Sequence, residues 1–282
     1  MKLGIHAYAW TSEWSNDTLD LIDRVKSMGL DFIEIPLTRL DKFDAAAVNK
    51  RLDSAGLGVV TSTALPVEFD ITSDDAAVRA GGVEYLKGCI RATAAIGAES
   101  FSGVIYSAHA RAARARPTGE IWQRSAEALR EAGEVAGDLG VLVGIEPVNR
   151  YETFLVNTCA QALRLKEMIG LDCIKVHLDT YHMNIEEKDF HDATILAGDD
   201  LIHYHLCEND RGIPGTGLVD WDGVFGGLAE IDYRGNAALE SFVDITDNMN
   251  TWVWRQLAPS GDTLLKEGVA FIRSMQEKHG LD

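Results

Sequence analysis

The sequence predicts an α/β chain folded as a single (β/α)₈ barrel of the TIM type, spanning residues 1–282. Short apolar runs alternate with longer amphipathic stretches from end to end, as a parallel sheet with crossover helices requires. The apolar runs carry hydrophobic residues on both faces, which is the composition of strands covered on both sides. No linker, low-complexity segment or break in composition divides the chain. A doubly wound open sheet is the main competitor. It is disfavoured because Ile5-His6-Ala7-Tyr8 stands where a glycine-rich dinucleotide turn would follow the first strand.

In chain order, the expected strands are 3–8, 31–36, 58–63, 99–105, 141–146, 173–179, 201–206 and 236–240. The expected helices are 17–29, 45–56, 74–97, 119–139, 158–170, 189–198, 222–230 and 260–279. Asn16-Asp17, Ser73 and Thr118 supply the oxygen atoms that N-caps need. The stretch 119–139 shows the logic: Ile121, Ser125, Leu129, Ala132, Ala136 and Leu139 recur at helical spacing, Glu127, Arg130, Glu131 and Glu134 lie mainly on other faces, and Gly140 stops the helix. The two longest irregular stretches, 106–118 and 207–221, each follow a strand, which places both on the rim where βα loops carry function.

Composition removes whole classes of partner. A net charge of −18 argues against nucleic acid and against an anionic membrane surface. No apolar run approaches the ~18 residues of a membrane span. Cys89, Cys159, Cys173 and Cys207 form no CxxC pair and read as thiols of a reducing compartment. The start, Met1-Lys2-Leu3-Gly4-Ile5, enters a strand without the longer apolar stretch of a secretion signal, so a cytoplasmic location is expected.

Four strands end in polar side chains: Glu146, Asp179, His205 and Glu240. At the C-terminal mouth of a barrel these would share one space, and three carboxylates with one imidazole suit a hard or borderline divalent metal. Each also has a plainer reading. Glu146 fits a salt bridge to Arg150, and Asp179 before Thr180 is a helix-capping pattern. His182 fits a loop histidine as well as a group facing the same cavity. His203 and His205 point to one side of their strand, with His205 nearer the mouth and His203 expected deeper, hydrogen-bonded in the core. Arg211 opens the loop to Pro214-Gly-Thr-Gly217, where it fits a donor to substrate oxygen or a surface pair with Asp210 or Glu208. Glu146 and Glu240 are expected on nearly opposite walls, suited to acid–base work on opposite faces of one carbon. Glu34 also ends a strand and receives no chemical role. Arg111, Arg114 and Arg116 read as a solvated basic loop, with binding of a substrate phosphate the alternative.

Glu146-Pro-Val-Asn-Arg-Tyr-Glu152, Asp179-Thr-Tyr-His-Met-Asn-Ile-Glu-Glu187, His205 to Arg211, Pro214-Gly-Thr-Gly217 with Asp220-Trp221, and Glu240-Ser-Phe242 follow, in order and spacing, a known pattern. The chain resembles the ketose 3-epimerases (tagatose, allulose and ribulose epimerases) of the xylose-isomerase-like sugar isomerase superfamily. The N-terminal half matches more loosely, through the opening strand and Ser102-Gly-Val-Ile-Tyr106. The resemblance implies a (β/α)₈ barrel holding Mn²⁺, Co²⁺ or Mg²⁺, with Mn²⁺ first, on Glu146, Asp179, His205 and Glu240. It implies a ketose substrate bound by Glu152, His182 and Arg211, with His6, Trp14 and Phe242, and Tyr8 beside them, against its skeleton. It implies Glu146 and Glu240 as the acid–base pair that inverts C3 through an enediolate, and a homodimer or homotetramer, to which Trp252 and Trp254 are candidate contributors. Pro147 and the basic stretch after Tyr106 depart from the pattern, and the latter bears on substrate identity. Rival readings on the same scaffold are an aldose–ketose or inosose-type isomerase or dehydratase, metal-assisted cleavage of a 3-oxo-glycoside and a metallo-endonuclease. A catalytically silent sugar-binding module is the rival from another class.

Overall fold

The computed structural model describes residues 1–110, 115–242, 253 and 255–282. Eight parallel strands close into a barrel in sequence order: β1 (Lys2–His6), β2 (Phe32–Pro36), β3 (Gly58–Ala64), β4 (Ser100–Val104), β5 (Leu142–Ile145), β6 (Ile174–Asp179), β7 (Leu201–Leu206) and β8 (Asn236–Leu239). β8 pairs back onto β1, so no edge is left for another chain to extend. The expected strands all form, most of them shorter by one or two residues.

Helices follow the strands: α1 (Asp20–Ser27), α2 (Ala45–Ala55), α3 (Ala76–Ala95), α4 (Gly119–Leu139), α5 (Cys159–Ile169), α7 (Phe190–Ala197), α8 (Trp221–Glu230) and α9 (Gly261–His279). A further short helix, α6 (Thr180–Glu186), starts directly at the end of β6. It was not expected, because Asp179 serves both strand and helix: its carboxylate caps the N–H groups of Tyr181 and His182. Thr118 caps α4 as expected. Two other caps shift by a residue or two. Ser15 caps the turn leading into α1, and Asp75 rather than Ser73 caps α3. Gly140 ends α4 in the left-handed conformation.

The strands carry a continuous apolar core on their outer face, against the helices: Leu3, Ile5, Ile33, Ile35, Phe101, Val143, Ile145, Val176, Leu178, Tyr204 and Leu206 are all buried. The inner face is polar toward the mouth, where buried Glu34, Ser62, His177 and His203 underlie the ends of the strands. Between β6 and β7 the pairing shifts register, from Val176↔Leu201 to His177↔His203. The extra residue, Ile202, brings His177 level with His203 and Asp179 level with His205. Gly103 in β4 adopts φ +125°, and a Cβ there would lie 2.1 Å from the Thr63 carbonyl, so only glycine fits at that point of the wall. Among the described residues no helix is long and apolar enough to cross a membrane.

Candidate active site

A cavity of about 500 Å³ opens at the C-terminal ends of the strands, lined among others by His6, Tyr8, His109, Glu146, Glu152, His182, His205, Arg211, Glu240 and Phe242. Its floor gathers the four strand-end residues. His205 Nδ1 stands 3.3 Å from Glu240 Oε2, 3.5 Å from Asp179 Oδ2 and 3.6 Å from Glu146 Oε1. Glu146, Asp179 and His205 present ligand atoms all within 4.8 Å of one another. His205 Nδ1 is buried and makes no hydrogen bond. Four donors bound to one ion at about 2.1 Å stand roughly 3.0–3.4 Å apart, close to these separations.

Electrostatics say the same. Burial alone would lower the His205 pKa, yet Glu240, Glu34, Asp179 and Glu146 together hold it well above the ordinary value. The centre of the cluster therefore demands positive charge. Burial pushes Glu146 up to about 7. Burial also acts to raise Glu240, but Arg211 and His205 outweigh it and leave that carboxyl below its usual value. The two glutamates are thus tuned apart. They stand after β5 and β8 with β6 and β7 between them, flanking Asp179 and His205 rather than facing across the full barrel.

Glu34 sits beneath. Its Oε2 lies 2.7 Å from His203 Nε2 and 2.9 Å from His205 Nε2. A carboxylate only accepts, so both rings place a proton on Nε2, and His205 turns Nδ1 toward the three carboxylates. His203 is the deep hydrogen-bonded residue expected.

On the far side, the backbone N–H of Asn149 donates to His182 Nδ1 at 3.2 Å, and Asn149 Nδ2 lies 2.9 Å from the same atom. Burial lowers the His182 pKa, so the ring is neutral and its proton must sit on Nε2. Arg211 Nη2 lies 3.1 Å from that Nε2. Two donors therefore stand side by side, an arrangement suited to a substrate oxygen. Asn149 Nδ2 also donates to Glu152 Oε1 at 2.8 Å, and His109 Nε2 holds Glu152 Oε2 at 3.0 Å. His6 Nδ1 accepts from the Tyr8 N–H, its Nε2 lies 2.9 Å from Ser62 Oγ, and its ring packs 4.1 Å from that of Tyr8.

The plainer readings of two residues fail. Arg150 pairs with Glu186, not Glu146. Arg211 turns inward, with Nη1 2.6 Å from both Asp179 and Glu240, and its guanidinium stacks 4.3 Å from the Tyr181 ring. Asp210 pairs instead with Arg255. Arg211 has φ +67°, a strained conformation for a long side chain, fixed by its N–H on the Glu208 carbonyl and by Ser241 Oγ on its own carbonyl. Glu208 explains why the loop holds. Fully buried, its carboxylate accepts from the N–H groups of Asn209, Gly215 and Val219 and from Trp221 Nε1.

Trp14, expected against the substrate skeleton, is buried in the apolar core and is not among the side chains lining this cavity. Arg116 is exposed, as a solvated loop residue should be. Arg111, Arg114, Trp252 and Trp254 lie outside the described residues. Sequence reasoning assigned nothing to Asn149 and His109, offered Glu208 only as a surface partner of Arg211, and gave Glu34 no role. The one available signal was the spacing of two between His203 and His205 and between His177 and Asp179, which puts all four on the inner face.

The sequence matches the family model for the xylose isomerase-like TIM barrel over residues 22–275. It is 36% identical over 276 residues to the L-ribulose 3-epimerase of Mesorhizobium japonicum, covering 96% of this chain and 93% of that one. It is 34% identical over 278 residues to the ketose 3-epimerase of Arthrobacter globiformis, covering 97% of this chain and 96% of the relative. The crystal structure of a Methylomonas D-allulose 3-epimerase in complex with D-allulose superposes with a TM-score of 0.92 at 34% identity, over 98% of this chain and 97% of that one. With a closed eightfold barrel, a floor of three carboxylates around one imidazole and these relatives along nearly its whole length, the chain belongs to the ketose 3-epimerases of the xylose isomerase-like TIM barrel family, and is an isomerase.

Proposed function

We propose that this enzyme inverts C3 of a free ketose by a two-glutamate proton transfer. The observation that carries the reading is the pair of carboxylates, Glu146 and Glu240, on either side of His205 Nδ1, with their pKa values driven apart. Glu146, Asp179, His205 and Glu240 would hold a divalent cation, which supplies Lewis acidity where negative charge develops on the substrate oxygens.

The remaining steps fall to the protein's own groups. The His182 Nε2–H and Arg211 Nη2 donate to the oxygen at C2, which draws electron density toward it and acidifies the C3 hydrogen. Glu240, the stronger acid of the pair, stands ionised and removes that hydrogen from one face. Glu146, carrying the one proton of the pair, returns it to the other face of the enediolate. The reverse epimer exchanges the two roles. Glu152, steadied by Asn149 and His109, orients a hydroxyl, and Tyr8 and Phe242, with rings 5.6 Å apart, shield the skeleton from water. His6 braces Tyr8 and closes the cavity wall. Mn²⁺ as the preferred ion, assembly as a homodimer or homotetramer, and a cytoplasmic site, which accords with four free thiols, belong to the same reading.

The test is turnover of several unphosphorylated and phosphorylated ketoses in D₂O with Mn²⁺ added. Deuterium should enter at C3 of the product. Glu146→Gln and Glu240→Gln should each lower kcat by about 10²–10⁴-fold with the fold intact by circular dichroism. Normal turnover by either variant would sink the two-base scheme, and deuterium at C1 in place of C3 would point to an aldose–ketose reaction instead.

A further inference from the structure

Beneath the floor of the cavity lies a polar layer of which the proposed reaction uses only His205. Among the described residues, five buried side-chain atoms make no hydrogen bond: Glu34 Oε1, both ring nitrogens of His177, His203 Nδ1 and His205 Nδ1. All five belong to one cluster. His177 and His203 are register partners with ring centroids 4.5 Å apart, His177 and His205 are 4.1 Å apart, and Glu34 touches both His203 and His205. An unpaired buried polar group costs roughly 1–3 kcal/mol. Bare nitrogens concentrated in one layer, while the other buried side-chain nitrogens and oxygens among the described residues find partners, imply something that binds them.

Glu34 indicates what. By accepting from Nε2 of both His203 and His205, it fixes the lone pair of each ring on Nδ1. A carboxylate behind an imidazole is how metal-bound histidines are held and made more basic. His177 offers one lone pair in either tautomer. One ligand nitrogen from each of His177, His203 and His205 lies within 4.8 Å of the others, and all three side chains are fully or almost fully buried.

We propose that His177, His203 and His205 form a second cation site, an imidazole lobe that takes a borderline divalent ion of the Zn²⁺ or Cu²⁺ kind. Nitrogen donors favour such ions, whereas the carboxylates above favour Mn²⁺ or Mg²⁺. His205 belongs to both lobes, so they fill one at a time. An ion in the lower lobe competes with one in the upper for the same imidazole. The inference goes beyond the epimerase reading and needs neither substrate nor catalytic base.

The experiment strips the full chain with chelator and titrates it with Cu²⁺, counting nitrogen couplings by electron paramagnetic resonance. Mn²⁺ binding is followed in parallel by loss of the free-ion signal, and folding by circular dichroism. Wild type should show coupling to more than one imidazole, and excess Mn²⁺ should weaken Cu²⁺ uptake. His177→Leu should remove one nitrogen from the spectrum and weaken Cu²⁺ binding about tenfold or more, while Mn²⁺ affinity stays within about twofold of wild type. His177→Gln, which keeps a polar side chain, serves if the leucine variant does not fold and should show the same loss. A single-nitrogen Cu²⁺ spectrum in wild type, or an unchanged spectrum in a folded His177 variant, would overturn the proposal and leave these nitrogens to water. Failure of Mn²⁺ to bind, with the multi-nitrogen Cu²⁺ signal intact, would instead count against the carboxylate site alone.

Discussion

Replacing Glu34 by glutamine should weaken the proposed cation site from below without removing any of its ligands. The Glu34 carboxylate accepts from His203 at 2.7 Å and from His205 at 2.9 Å, and its own pKa, despite burial, is held well below the usual range by those two histidines and His6. In Glu34→Gln the amide oxygen can keep both contacts, but each becomes a neutral hydrogen bond. Charged-group bonds contribute about 1.5–3 kcal/mol and neutral ones about 0.5–1.5 kcal/mol, so the pair loses roughly 2–3 kcal/mol. The amide nitrogen, in the place of Oε1, then faces His6 Nε2, which lies 3.6 Å from that oxygen and already carries a proton. The His205 share of this loss appears as basicity at Nδ1. Partners of this kind are worth about 10–100-fold in metal affinity, or about 1.4–2.7 kcal/mol. The assay is Mn²⁺ titration by the free-ion paramagnetic signal, with turnover measured at saturating Mn²⁺. The dissociation constant should rise by about 10–100-fold while kcat at saturation recovers most of its value. Because both buried hydrogen bonds weaken, the chelated protein should also melt below wild type. An unchanged Mn²⁺ dissociation constant in a folded variant would refute the idea that Glu34 sets the basicity of His205.

Three further outcomes follow. Mn²⁺ affinity should rise with pH through 7, because the ion displaces a proton from His205, raised well above its ordinary value. The slope is about tenfold per pH unit for each proton displaced, read by calorimetry in buffers of different ionisation enthalpy, and affinity flat from about pH 6 to 8 would contradict it. Arg211→Lys should lower kcat/KM by about 10²-fold or more, since one ammonium cannot hold Asp179 and Glu240 and also present a donor beside His182 as the guanidinium does; steady-state kinetics decides. Glu208→Gln should leave part of its ring of N–H donors unpaired at a cost of about 2 kcal/mol, lowering Tm by roughly 4–8 °C and raising KM as Arg211 loses its place, both measurable on the purified variant.

The order of strands and helices was legible in the chain because hydrophobic periodicity is a local property. So were the four polar strand ends that meet at the mouth, since a polar group closing an apolar run is visible without coordinates. Caps and ends were less so: Asp179 doubles as strand terminus and helix cap, and α6 was hidden behind it. Trp14 shows the limit for single aromatics, where sequence cannot separate a core ring from one facing a cavity. The inward turn of Arg211 was one of two readings, and its positive φ and the carboxylate that organises its loop decided between them.

By itself, then, the sequence determined an eightfold α/β barrel, its acidic character and the residues that meet at its mouth. Tertiary structure alone decided how they meet: the register shift at Ile202 that levels Asp179 with His205, the Glu34 carboxylate reaching from β2 to two histidines on β7, and the pairing of His182 with Arg211. Glu34 and His203 are separated by 169 positions in the chain. Periodicity reports which way a side chain points within its own strand, whereas the partner it finds and the charge it carries depend on which strands closure of the barrel brings together.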